Sequence, residues 1–174
     1  PMAIQSAFFT FIAMIIARIS AQWGPLPIAV QKVGSQIESI SWMTAGGFQT
    51  AMSAFIGQNY GAKKWDRVSK GYFVGIGIVS IIGIFATVLL IFAARPLFAI
   101  FIPEEEAIRH GVVYLRILGV SQLFMCIEIV TAGAFIGHGK SFPPSVVGIV
   151  FNLLRIPGAL LLSSTSLGLK GVWW

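Results

Sequence analysis

Three charged side chains, Glu38, Glu128 and Arg155, stand inside long apolar stretches of the sequence. A charge at the centre of a bilayer costs about 3 kcal/mol on insertion scales, so such residues normally face a bundle interior or a water-filled cavity. A carboxylate in such a cavity can take up a proton or a cation and release it when the cavity opens to the other side. The two glutamates are therefore candidates for ion binding, and any Na⁺ is expected near Glu128.

Polar residues accompany both glutamates at helical spacing, which predicts one polar face in each segment. The two sets are Gln31, Ser35, Glu38 and Gln49, and Ser121, Phe124, Glu128 and Thr131. We predict an ion-coupling or substrate cavity lined by Glu128, Glu38, Gln31, Ser121, Thr131 and Arg155. The alternative is that either glutamate pairs with Arg155 or Arg116 only to hold the helices together.

Other patterns that could carry chemistry are weak. Residues 134–141 read AFIGHGKS, which lacks the first glycine of a P-loop and joins two apolar segments rather than a strand and a helix. His110 and His138 fall in separate turns, so neither a catalytic pair nor a metal site is predicted. We therefore predict no enzyme activity, no catalytic residues and no bound cofactor.

Composition places these residues in a membrane protein. The chain has 174 residues, of which 56% are hydrophobic and 10% charged, and several apolar runs exceed the roughly 18 residues that predict a spanning helix. The net charge of +6 comes from basic residues scattered singly between apolar runs. Nucleic-acid binding is not expected, because it normally needs a basic stripe.

The apolar runs predict an all-α, polytopic transmembrane bundle of about five helices and the start of a sixth. The predicted helices occupy residues 2–22, 27–56, 71–102, the stretch from the polar turn at 104–109 to 137, and 143–164, with a sixth beginning at 172–174. Residues 58–70 are predicted to be a polar loop, and Arg95 and Pro96 a kink or an interfacial end. Residues 1–174 form a single membrane domain in this interpretation.

Basic residues indicate the orientation. The segment 58–70 and the turn at 137–141 are separated by two predicted spans, and together they hold five of the twelve Lys and Arg residues. Because Lys and Arg are retained on the cytoplasmic side, both segments are predicted to be cytoplasmic.

Four segments resemble one half of a multidrug and toxic compound extrusion (MATE) transporter. They are GQNYGAKKWDR at 57–67, YLRILGVSQLFM at 114–125, GAFIGHGKSFPP at 133–144 and LLRIP at 153–157. The resemblance covers the whole chain and implies the C-terminal half of a twelve-helix protein, with helices seven to eleven and the beginning of helix twelve. A fragment is therefore expected, whose partner would be the missing N-terminal half or a second copy.

The resemblance also implies a function. MATE transporters are multi-pass proteins of the plasma or inner membrane, surrounded by lipids, that export cationic or amphipathic drug-like compounds in exchange for Na⁺ or H⁺. Two alternatives stay open. A lipid or polysaccharide flippase of the same superfamily would line its cavity with several cations, and a non-transporting scaffold subunit would need no aligned polar faces.

Overall fold

The computed structural model describes residues 2–165 and 168–173, and this part of the chain is helical. Five long helices dominate it, and two short ones follow the third and the last of them. In chain order the helices are α1 Met2–Ser20, α2 Pro25–Gly61, α3 Trp65–Phe92, α4 Ala94–Ala99, α5 Glu105–Gly137, α6 Phe142–Ser163 and α7 Leu169–Trp173. The predicted all-α bundle of five long helices and the start of a sixth is confirmed. Pro1 and Trp174, which we assigned to the ends of this bundle, lie outside the described residues.

Four of the long helices are long and apolar enough to cross a membrane, namely α1, α3, α5 and α6. Helix α2 is the longest but carries more polar side chains, and it buries seven residues against its neighbours. Helix α2 is therefore partly enclosed by the other helices, and the prediction of a multi-pass membrane chain is confirmed.

The predicted loop at residues 58–70 is wrong. Helix α2 continues to Gly61 and α3 begins at Trp65, so only residues 62–64 connect them. The charged residues that follow Trp65 occupy the first turns of α3, where Asp66 also suits the positive end of the helix dipole. These charged residues mark the point at which the chain leaves the apolar layer of the membrane, not the end of a helix. A solvated helix tolerates charged side chains well.

The predicted interruption near Arg95 and Pro96 is confirmed, and it divides the expected span at residues 71–102. Helix α3 ends at Phe92, and α4 begins at Ala94. Pro96 has no backbone N–H to donate to the carbonyl of Phe92, four residues earlier, so the hydrogen-bond ladder breaks at this point. Short α4 then packs on α5.

The helices pack in two groups. Helices α2, α3 and α5 make extensive contacts with one another, whereas α1 and α7 pack mainly on α6. Helices α2 and α5 approach closely at two glycines of α5. A Cβ at Gly133 would overlap the backbone oxygen of Gln49, and a Cβ at Gly137 would overlap that of Ser53. Contacts between the α2–α3–α5 group and the α1–α6–α7 group are sparse, so the boundary between the two groups is loosely packed.

Candidate functional site

The candidate site is built around a hydrogen bond between α2 and α5. Gln122 Nε2 on α5 donates to Glu38 Oε1 on α2 at 3.0 Å. Gln122 is fully buried, with an exposed fraction of 0%, and Glu38 is half-buried. A buried amide is costly unless its donor and acceptor are both used. Among the described residues Gln122 Oε1 has no hydrogen-bond partner, so an acceptor oxygen remains available beside the Glu38 carboxylate.

An aromatic residue covers one side of this pair. Tyr114, two turns before Gln122 on α5, lies against Gly34, one turn before Glu38 on α2, where a Cβ would overlap its ring. The Tyr114 ring also meets the Trp173 ring of α7 edge-on at a centroid distance of 5.3 Å. Close packing of α2 against α5 therefore continues one turn beyond Glu38.

Arg155 is the third charge of the predicted cavity, and it lies on α6. Arg155 itself is exposed, and it forms no ion pair with Glu38. Within residues 2–165 and 168–173, the one ion pair joins Arg95 to Glu105 at 2.9 Å. Glu38 and Arg155 are therefore opposite charges on α2 and α6 that make no direct contact as an ion pair.

The alternative in which a glutamate pairs with Arg116 is wrong for this structure. Arg116 Nε donates instead to the carbonyl of Ile91, near the end of α3, at 3.2 Å. That bond satisfies one of the carbonyls that a helix leaves unpaired at its C-terminus.

Glu128 lies elsewhere. Six residues separate it from Gln122, which turns it by about 120° around the axis of α5. Glu128 and Ser121 are exposed in this chain, so neither is enclosed by the packing of α2, α3 and α5, and a place for Glu128 in a cavity stays a prediction. The predicted polar face exists on α5, but much of it points away from α2 and α3. Thr131, at its edge, is half-buried and lies 3.2 Å from Tyr72 Oη of α3.

Gln31 is half-buried on α2, seven residues before Glu38 and so on the same helix face, about 10 Å away along the axis. The structure therefore pairs Glu38 with Gln122, places Gln31 on the same face of α2, and leaves Arg155 on α6 without an ion pair to Glu38. It places Glu128, Ser121 and Thr131 on another side of α5.

Sequence reasoning missed Gln122 and Tyr114. Gln122 had a usable signal, because an amide within an apolar membrane segment needs a partner on another helix. Tyr114 gave no comparable signal, since its role depends on the absence of a side chain at Gly34.

Comparison with known sequences finds one family and several relatives. The sequence model of the MatE family matches residues 1–161. "Probable multidrug resistance protein NorM" of Thermotoga maritima is 26% identical, over 99% of this chain and 38% of the relative. "Probable multidrug resistance protein YoeA" of Bacillus subtilis is also 26% identical, with the same coverage of both chains. The chain therefore spans about 38% of the length of these relatives.

Comparison with solved structures finds the same fold. A transporter of the MOP superfamily from Pyrococcus furiosus, whose binding pocket is described as having reverse polarity that suggests a different function, superposes with a TM-score of 0.92 at 19% identity. The match covers 99% of this chain and 38% of that one. A multidrug resistance MATE transporter in its outward-facing conformation also gives 0.92 at 19% identity, over 99% and 39% of the two chains. An inward-facing MATE structure gives 0.87 at 19% identity, over 97% and 40%.

Proposed function

Because the chain belongs to the MatE family, we propose that the protein containing it is a secondary active antiporter that exports amphipathic or cationic drugs in exchange for Na⁺ or H⁺. Support comes from the names of its relatives, which are multidrug resistance proteins. Since the chain spans about 38% of their length, the remaining helices would come from a second half of the protein or from a second copy. This chain would supply one half of the bundle.

The observation that carries the proposal is the Glu38–Gln122 pair. When Glu38 is ionised, it accepts a hydrogen bond from Gln122 Nε2. When Glu38 is protonated, its O–H needs an acceptor, and rotation of the amide would present Gln122 Oε1. The same amide therefore suits both states of the carboxyl group, which a proton-coupled site requires.

The pair is also chemically suited to Na⁺. Hard cations prefer oxygen ligands, and a Glu38 carboxylate oxygen together with Gln122 Oε1 would supply two. A cationic drug and the coupling ion would then compete for one carboxylate. Binding of either would favour release of the other, which is the basis of exchange.

Transport by the full-length protein in proteoliposomes, under imposed Na⁺ or H⁺ gradients, tests this proposal. We expect Glu38→Gln to keep the shape and hydrogen bonding of the side chain, and to abolish the dependence of drug uptake on the gradient. Glu106→Gln, which removes an exposed glutamate in the first turn of α5, is the matched control and should retain that dependence.

Unchanged gradient dependence in the folded Glu38→Gln protein would contradict the role of Glu38. Glu128 stays a prediction, to be tested by Glu128→Gln in the same assay. Absence of cation export by the wild-type protein, with movement of an anionic lipid or polysaccharide instead, would favour the flippase alternative.

A further inference from the structure

Cations collect at the end of the bundle where α2 meets α3 and where α5 meets α6. The basic patch is defined here as Lys63, Lys64, Arg67, Lys70 and Lys140, all of which are exposed. Within the described chain, none of these five side chains forms an ion pair. Asp66 is the one acidic residue of the α2–α3 connection and the first turns of α3, so the patch carries a clear excess of positive charge.

Aromatic rings connect the two turns that carry these charges. The Tyr60 ring of α2 lies 5.0 Å from the Trp65 ring of α3 and 4.8 Å from the His138 ring that precedes Lys140. Trp65 remains 55% exposed. Tyr and Trp rings at the polar boundary of a membrane protein commonly lie at the level of the lipid headgroups.

An apolar surface begins immediately beyond the patch. Along the next turns of α3, Phe73 and Ile81 are each 71% exposed, and Phe85 is 66% exposed. Lys64 immediately precedes this helix, and Arg67 and Lys70 follow at intervals of three residues in its first turns, so the three lie near one side of its start. Positive charges, interfacial rings and an outward-facing apolar surface therefore follow one another along α3.

We propose that the basic patch binds the headgroup of an anionic phospholipid, whose acyl chains lie along the exposed apolar side of α3. Clustered Lys and Arg side chains next to a membrane helix attract anionic headgroups. The apolar continuation favours a lipid over a soluble phosphate compound, because only a lipid would use both surfaces. The site is separate from the Glu38–Gln122 pair and does not depend on the transport proposal.

Fluorescence of Trp65 provides a direct test in the full-length protein. The protein is reconstituted in vesicles that contain either brominated phosphatidylglycerol or brominated phosphatidylcholine at equal fractions, since bromine quenches tryptophan at short range. The Trp65 signal is the part of the emission that Trp65→Phe removes. We expect brominated phosphatidylglycerol to quench this signal more strongly, and the difference to shrink as salt is raised. Equal quenching by the two lipids would overturn the proposal.

Charge variants identify the residues responsible. Lys64→Gln, Arg67→Gln and Lys70→Gln combined should remove the preference, with the relative affinity falling about fivefold for each charge lost. The control combines Arg18→Gln, Arg109→Gln and Lys170→Gln, which removes the same charge from exposed positions outside the patch. Equal losses in both proteins would overturn the proposal, because they would reflect net charge alone.

A charge-conserving variant separates binding from folding. Lys64→Arg, Arg67→Lys and Lys70→Arg combined keep three cations but alter every side chain. We expect this protein to keep the preference for phosphatidylglycerol. Loss of the preference in this variant, with an unchanged elution profile, would show that specific packing rather than anionic attraction had been responsible, and would overturn the proposal.

Discussion

Gln122 is a fully buried amide whose Nε2 donates a hydrogen bond to Glu38, and whose Oε1 has no partner within residues 2–165 and 168–173. Replacing Gln122 by Leu would keep much of the volume but remove this donor to Glu38. Leaving a buried polar group unsatisfied costs about 1–3 kcal/mol. We expect Gln122→Leu to lower the free energy of unfolding by that amount and to impair gradient-driven transport.

Thermal unfolding of the purified protein in detergent measures this effect. Ser121→Ala is the neighbouring control, because the Ser121 hydroxyl is exposed and donates to the Leu118 carbonyl of its own helix. A Gln122→Leu protein as stable as Ser121→Ala would mean that the bond to Glu38 contributes little.

Gly34 provides a second test at the scale of single residues. A Cβ at this position would overlap the ring of Tyr114, whereas a Cβ at Gly46, on the same helix, would meet no atom within 4 Å. We expect Gly34→Ala to destabilise the protein by about 1–3 kcal/mol, as overpacking commonly does. Gly46→Ala should be neutral or stabilising, because Ala favours a helix more than Gly. Matched melting curves would check this, and equal midpoints would contradict it.

Residue types alone predicted part of the site. The cost of a charge in an apolar segment correctly selected Glu38 as a residue that neighbouring helices partly enclose. The same argument did not predict that Glu128 is exposed in this chain, because helical periodicity shows which residues share a face but not which face meets a neighbour. The bond from Gln122 joins residues 84 positions apart, and no local pattern encodes such a pairing.

At the scale of elements, the connection between α2 and α3 depends on one unusual backbone conformation. Lys63 has a φ of 56°, in the left-handed region that favours glycine. A residue with a Cβ costs about 1–2 kcal/mol there. We expect Lys63→Gly to raise the free energy of unfolding by about 1 kcal/mol. Lys64→Gly removes the same charge at a position with a φ of −92° and should lower it.

Thermal melts of these two variants at high salt would compare them with the influence of charge reduced. If Lys64→Gly were the more stable of the two, the left-handed conformation at Lys63 would not limit the stability of this connection.

The same connection shows how far the sequence predicts the ends of helices. Apolar runs located the five long helices, but they placed the end of α2 and the start of α3 wrongly, because hydropathy reports the apolar layer and not the hydrogen-bond ladder that continues beyond it.

At the scale of the whole molecule, the distribution of basic residues predicts the orientation in the membrane. We expect the basic patch to be cytoplasmic. In a cysteine-free background, a cysteine introduced at position 64 should react with an impermeant reagent only after the cells are opened. A cysteine at position 109, exposed in α5, should react from outside. The reverse pattern of labelling would contradict this orientation.

The sparse boundary between the α2–α3–α5 group and the α1–α6–α7 group has a mechanical consequence. Arg155 of α6 and Glu38 of α2 are opposite charges on the two sides of this boundary that form no ion pair, so a displacement of α6 would break no bond between them. The energy of such a pair varies with the inverse of the separation and strengthens as water is excluded. Sliding one group against the other would therefore change how strongly the carboxylate holds a cation. In this way the bundle would act as a transducer, in which displacement of a helix is converted into a change of ion affinity.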